Sequence, residues 1–262
     1  VGTGRFGLLG GVSLRFNLSQ EKGPFDIIGD VHGCLEELQE LLALLGYRQK
    51  QGSFHHPEGR KAVYLGDLGD RGPHCLDSIK TAMKMVQQGD ALYVPGNHCK
   101  KLNGYLTGRN VQIKYGLEKT VEEFLQLNAT EKAAFTEEFT SFYQSAAPYL
   151  ILDQGNLVVA HAGIKEHMIG KINKRIESFC LYGDTTGEVT PDGLPVRLDW
   201  AEHYRGKALI VYGHTPVEKP QFKNNTIDID TGCAMGGHLT ALRYPEREIL
   251  QVAAKAVYYV RH

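Results

Sequence analysis

Six times along this chain a short apolar run ends, and an aspartate, histidine or asparagine follows with a glycine close by. The instances are Asp30 with His32, Asp67, Asn97 with His98, His161, His214 and Asp230. Each run, such as Phe25-Asp26-Ile27-Ile28 before Gly29, is short, rich in apolar residues and closed by a turn signal. That pattern reads as a buried strand. Glycine at its end lets the backbone turn sharply and keeps Cβ atoms clear of what the tip presents. One such tip is ordinary turn chemistry. Six of them in 262 residues, all offering oxygen or nitrogen donors that suit a divalent cation, require a fold in which the strand ends meet.

The segments between the tips fit that requirement. Cys34 to Leu45 places Leu35, Leu38, Leu41, Leu42 and Leu45 on one helical face, and Gly46 ends it. Pro73 opens a second helix, with Leu76, Ile79, Met83 and Val86 facing inward and Gly89 at its close. Ala62–Gly66 and Ala91–Pro95 are the next strands, so the order is the strand, helix, strand grammar of an α/β fold. In such folds sites are built at the carboxyl ends of the strands. Residues 117–145 read as helical, with Phe124, Phe135, Phe139 and Phe142 for the core. Residues 164–207 read as a long irregular insertion that caps the site within one domain spanning 25–262. Leu239–Arg243, Ile249–Ala253 and Ala256–Val260 read as closing strands, and glycine-rich residues 1–24 as a leader or the exit of an upstream domain.

Composition narrows the function. Lys plus Arg number 29 against 30 Asp plus Glu, so no global basic field advertises a nucleic-acid binder. No apolar stretch approaches membrane-spanning length, so no membrane partner is expected. Five scattered cysteines make no disulfide framework and fit a reducing, cytoplasmic setting. The donor count at the strand tips suggests two cations. Asp30, His32 and Asp67 make one set, and Asp67, Asn97, His161 and His214 the other, with Asp67 shared. A bridging carboxylate holds two cations ~3.5–4 Å apart, the spacing used for in-line phosphoryl displacement by an activated water.

Gly-Asp-Val-His-Gly at 29–33, Gly-Asp-Leu-Gly-Asp-Arg-Gly at 66–72, Gly-Asn-His at 96–98, His-Ala-Gly at 161–163 and Gly-His-Thr at 213–215 resemble the phosphoprotein-phosphatase-type metallophosphoesterases. The resemblance implies a four-layer α/β sandwich, with two mixed sheets face to face and helices outside. It implies an active phosphoesterase rather than an inactive scaffold, with two divalent ions, often manganese, though iron, zinc or nickel suit the same donors. It assigns His98 as the general acid on the leaving oxygen, Asp70 as the carboxylate that orients it, and Arg71 as a phosphate clamp beside Asn97. Two departures stand out. Gly69 replaces the usual aliphatic residue, which would loosen the Asp67–Arg71 turn, and Cys99 replaces an acidic residue, which argues against a phosphoprotein substrate.

Two narrower resemblances give different substrates. Gly23–Gly29, Gly108–Ile113, Gly193–Arg197 and Leu239–Glu248 resemble the phosphatase module of bacterial polynucleotide kinase-phosphatases, in which Asp230 matches a further acidic site residue. On that basis the expected reaction removes a terminal 2′-, 3′- or 2′,3′-cyclic phosphate from RNA ends. The expected partners are then a phosphorylated RNA end and kinase and ligase modules. No GxxxxGK[ST] loop is present, so this chain holds no such kinase. Gly96-Asn-His-Cys99, Tyr182–Glu188 and Gly213-His-Thr-Pro216 are similar to the asymmetric dinucleoside tetraphosphatases, the alternative, whose substrate is a nucleotide. Arg109, Lys114, Arg175, Arg197 and Arg205 are candidates for holding a polyanion in either case.

Overall fold

The computed structural model describes residues 16–191 and 195–260, so most of the expected leader and residues 192–194 of the expected insertion lie outside the described residues. The chain runs β1 (Phe25–Ile28), α1 (Leu35–Leu45), a hairpin of β2 (Arg48–Lys50) and β3 (Ser53–His55), β4 (Lys61–Tyr64), α2 (Cys75–Gln87) and β5 (Ala91–Tyr93). Three helices follow, α3 (Asn97–Leu106), α4 (Leu117–Gln126) and α5 (Ala129–Ser145), then β6 (Tyr149–Leu152) and β7 (Leu157–Ala160). Next come α6 (Lys174–Tyr182), a hairpin of β8 (Thr185–Val189) and β9 (Pro195–Arg197), β10 (Leu209–Tyr212), β11 (Phe222–Lys223) and β12 (Thr226–Asp228). β13 (His238–Tyr244) and β14 (Ile249–Ala253) close the described strands.

The strands form two five-stranded sheets, ordered β14-β13-β1-β4-β5 and β11-β12-β10-β7-β6. Within the first, β1, β4 and β5 are parallel to one another, and β13 joins antiparallel. Within the second, β7, β10 and β12 are parallel, and β6 and β11 are antiparallel edges. Each sheet therefore sends three parallel strands to its site end. Phe25 and Ile27 alternate with Asp26 and Ile28, as pleating demands, so one face of β1 packs on the second sheet and the other on helices. Val63, Leu65 and Val94 meet Val159, Leu209 and Ile227 in the core between the sheets. α1, α2 and α5 cover the first sheet, whereas α6 and the 3₁₀ turn Trp200–His203 join the core of the second. The expected four-layer architecture is present.

Three details differ from the sequence reading. The insertion is not irregular, since α6 forms on an Asn173 cap that accepts from Ile176 N. The long helical stretch breaks at Asn128, which closes a capping box with Glu131 and restarts the chain as α5. Ala256–Val260 is not a strand: the backbone leaves the sheet after β14, Tyr258 and Tyr259 donate to Ala234 O, and the Tyr258 hydroxyl reaches Glu37 at 2.8 Å. Before β1, Phe16 is buried and packs against Tyr149 in a tilted arrangement with ring centroids 5.1 Å apart.

At the start of β1, away from the strand tips, Asp26 is fully buried between two arginines. Arg60 Nε donates to both Asp26 oxygens at 3.1 Å, and Arg243 Nε lies 3.3 Å away. Removing the acid leaves the buried Arg60 guanidinium with only the half-exposed Glu246 as a counter-charge. Asp26→Ala is expected to lower unfolding free energy by about 3 kcal/mol, read as a lower urea midpoint at unchanged slope.

Candidate functional site

All six parallel strands end at one place. β1 delivers Asp30 and His32, β4 delivers Asp67, β7 delivers His161, β10 delivers His214 and β12 delivers Asp230. β5 leads into Asn97 and His98, which are not in a loop but begin α3. His161 Nε2 is 3.3 Å from Asp67 Oδ2, 3.1 Å from Asn97 Oδ1 and 3.1 Å from His214 Nδ1. His161 Nδ1 is 3.8 Å from Asp30 Oδ1, and His32 Nε2 is 3.7 Å from Asp67 Oδ2. Every sequence-predicted donor is therefore brought together. Asp230 faces Asp30 as well as the His214 turn, because a Cβ on Gly213 would touch both carboxylate side chains.

The turns that present these groups are held in unusual backbone conformations. His32, Asp67, Asp70, Arg71 and His214 all have positive φ, between 36° and 75°. Strain of this kind persists only where the surroundings over-determine it, and it clusters at functional sites. Gly96 shows how tight the packing is. A Cβ there would lie 2.0 Å from Asp67 Oδ1, although its own φ of −96° suits any residue. Gly96→Ala is therefore expected to displace Asp67, whose backbone nitrogen would also lie 2.6 Å from the added Cβ, and to lower kcat about 10²-fold.

The cluster fits a cation. Both oxygens of Asp30, Oδ2 of Asp230 and Nε2 of His214 are buried without a hydrogen-bond partner. Burial and the neighbouring Asp230 push the Asp30 carboxyl well above the usual range, and burial likewise raises Asp230. Acids crowded in this way are stabilised by a bound positive charge. Burial, then Arg71 and His98, hold His32 well below its ordinary value, which keeps that ring neutral. His32 Nδ1 donates to Gly69 O at 3.0 Å and His161 Nδ1 to Leu65 O at 2.9 Å. Both rings thus turn Nε2 toward the cluster. Burial opposes charge on His161, but Asp67 and Asp30 outweigh it and raise that ring to about 9. Two donor groups, His32–Asp67–His98 and Asp67–His161–His214, share Asp67.

Beside the donors lies a second assembly. His98 Nδ1 bonds Asp70 Oδ2 at 2.6 Å, and the Thr120 hydroxyl donates to the other Asp70 oxygen. Asp70 thereby locks the ring and directs His98 Nε2 to the cleft. Arg71 spans His32 Nε2 at 2.8 Å and His98 Nε2 at 3.1 Å, and its guanidinium lies 5.3 Å from the Tyr259 ring centroid. The cleft encloses about 210 Å³ and is also lined by Lys101, Tyr115, Tyr182 and Arg197.

Sequence reasoning assigned no role to Thr120, Lys101, Tyr115 or Tyr259, and marked Tyr182 only as the first residue of the Tyr182–Glu188 resemblance. Lys101 lies on α3 three residues after His98, whereas the others come from helices and loops far along the chain. Of the five proposed polyanion holders, Arg197 lines the cleft, whereas Arg205 donates to the Glu202 and Tyr204 carbonyls. The Gly69 turn has no gap, because Ile79 Cδ1 lies 2.8 Å from where a Cβ would stand. Cys99 is buried, and burial and then Asp67 push its thiol up to about 12, which makes it unreactive. The paired histidines 55 and 56 serve structure, His55 bonding Asp90 at 2.7 Å and His56 the Leu45 carbonyl at 3.2 Å.

Two facing mixed sheets whose parallel strands converge on acids, histidines and an arginine-backed imidazole define a metal-dependent phosphoesterase. Residues 23–239 match the calcineurin-like phosphoesterase family, and the chain belongs to it. It is 54% identical over 234 residues to a bis(5′-nucleosyl)-tetraphosphatase, asymmetrical, of Anoxybacillus flavithermus, covering 89% of this chain and 96% of that one. A protein of the same name from Halalkalibacterium halodurans is 52% identical, covering 88% and 94%. Among solved structures, one provisionally assigned as a diadenosine tetraphosphatase superposes with a TM-score of 0.62 at 23% identity, over 91% of this chain and 96% of that one. A serine/threonine phosphatase of Saccharomyces cerevisiae superposes with a TM-score of 0.59 at 15% identity, over 94% and 84%. These two likenesses establish the fold.

The expectation of an RNA-end substrate is overturned by the tetraphosphatase relatives. The structure supplies the physical reason for the error. Two of the stretches that suggested it, Gly23–Gly29 and Leu239–Glu248, build the ion-pair network of Asp26, Arg60, Arg243 and Glu246. That network ties β1 to its neighbours at the start of the strand, away from the strand tips. The kinase and ligase partners expected on the RNA reading find no support in these relatives. No described helix is long and apolar enough to cross a membrane.

Proposed function

We propose that this chain hydrolyses dinucleoside tetraphosphates asymmetrically, giving a nucleoside monophosphate and a nucleoside triphosphate. The observation that carries the reading is 54% identity, over nearly the whole of both chains, to a protein named for that activity. Asp30, His32 and Asp67 on one side, and Asp67, Asn97, His161 and His214 on the other, hold two divalent cations, manganese being the expected metal, with Asp230 backing Asp30. When bound, these ions supply the activated water and offset the charge of the phosphate chain. The protein's own groups do the rest. Arg71 takes two non-bridging oxygens of the attacked phosphate in its planar fork. Asn97, at the first residue of α3, adds an amide beside the helix N-terminus, where anions are favoured. His98, oriented by Asp70, gives its proton to the departing phosphate oxygen. Five buried free thiols fit a reducing cytoplasm.

The test is direct. Protein loaded with manganese is incubated with diadenosine tetraphosphate, and the products are resolved by anion exchange. Equal amounts of AMP and ATP are expected. Two equivalents of ADP, or no turnover, would overturn the reading.

A further inference from the structure

The substrate proposed above has two nucleobases, and this inference rests on that reading. The cleft carries two tyrosine rings in matching settings. Tyr115 is 51% exposed and Tyr182 is 38% exposed, large values for aromatic residues that line a cleft. Lys101 Nζ stands 5.3 Å from the Tyr115 ring centroid, and Lys100 Nζ stands 5.3 Å from that of Tyr182. The two lysines are neighbours on α3, so their side chains leave the helix about 100° apart and fan to opposite sides. Each tyrosine is also tied through its carbonyl to an arginine. Arg71 Nε donates to Tyr115 O at 3.4 Å, and Arg197 donates to Tyr182 O.

The two arginines flank different ends of the donor cluster. Arg71 bonds His32 and His98, whereas Arg197 lines the cleft together with His214. Tyr115 is moreover held at a φ of 66°, a conformation a bulky residue rarely adopts.

We infer that Tyr115 and Tyr182 are the two nucleobase platforms of this enzyme, one at each end of the phosphate chain. A polyphosphate laid across the cluster from Arg71 to Arg197 brings one nucleoside to each tyrosine. Each ring then takes an ammonium group on one face and a base on the other, and both contacts suit its negative π face. Neither tyrosine touches the reacting phosphorus, so both are positioning residues that set affinity.

The experiment measures kcat and KM for diadenosine tetraphosphate on the manganese-loaded wild type, Tyr115→Ala, Tyr182→Ala and the two Tyr→Phe variants. Each alanine variant is expected to raise KM about tenfold with a smaller change in kcat, because base–aromatic stacking has this magnitude. Phenylalanine at either position keeps the wild-type KM. A KM that stays put in either alanine variant overturns the two-platform assignment and leaves the proposed activity standing. Equal losses in the alanine and phenylalanine variants overturn it too, since the hydroxyl would then be the contact. A wild type that fails to cleave the tetraphosphate overturns the proposed function itself, and that result is in hand before any variant is assayed.

Discussion

His98→Asn should lower kcat on diadenosine tetraphosphate about 10²-fold, and on a substrate with a more basic leaving group by up to about 10⁴-fold. The gradient follows from what a general acid supplies. A departing triphosphate is weakly basic and needs little protonation, whereas a phenolate needs more as it becomes more basic. Phenyl phosphate should therefore suffer more than 4-nitrophenyl phosphate. Asparagine suits the test because it removes the titratable ring with little loss of volume and stays polar beside Asp70, whose other oxygen remains bonded to Thr120. Equal losses on the two aryl phosphates would assign His98 to ground-state binding, in concert with the Arg71 contact to its Nε2.

His98 itself was legible in the sequence, and the reason is local. Each strand tip announces itself within five or six residues as an apolar run, a glycine and a donor. The convergence of Asp30, Asp67, His161 and His214 follows because parallel strands in βαβ units all point their carboxyl ends one way. The groups that hold those donors in place were not legible. Thr120 bonds Asp70 across 50 positions, and the Gly116 carbonyl receives the Arg71 amide across 45. Such contacts depend on how helices dock, which no local pattern encodes. Leu239–Glu248 misled in the opposite way. It is a long, distinctive stretch, but its Arg243 and Glu246 pair with Asp26 and Arg60 at the start of β1, away from the strand tips. Distinctive sequence reports constraint, and here the constraint is a buried ion pair.

Asp67→Asn carries the largest expected loss, because this carboxylate is the one donor common to both halves of the site. Its Oδ1 accepts the His98 amide at 3.0 Å, while Oδ2 faces His161 at 3.3 Å and His32 at 3.7 Å. Burial works against its charge, yet His161, His98 and His32 hold its carboxyl well below the usual range. Asp67 therefore stays ionised where Asp30 resists ionisation, and it is the natural shared ligand. The asparagine variant keeps the shape and the amide contact but loses the negative charge. Its kcat should fall by about 10³-fold or more, the several kcal/mol that charge stabilisation at such a centre supplies. A second readout needs no turnover. Manganese at about a thousand times its dissociation constant should stabilise the wild type by about 4 kcal/mol, or roughly 10 °C in melting temperature for a chain of this size. Chelation should reverse that rise and abolish activity together. In the asparagine variant most of the rise should vanish. A variant that kept both the thermal shift and the activity would remove Asp67 from the shared position and, with it, the two-cation reading of the strand tips.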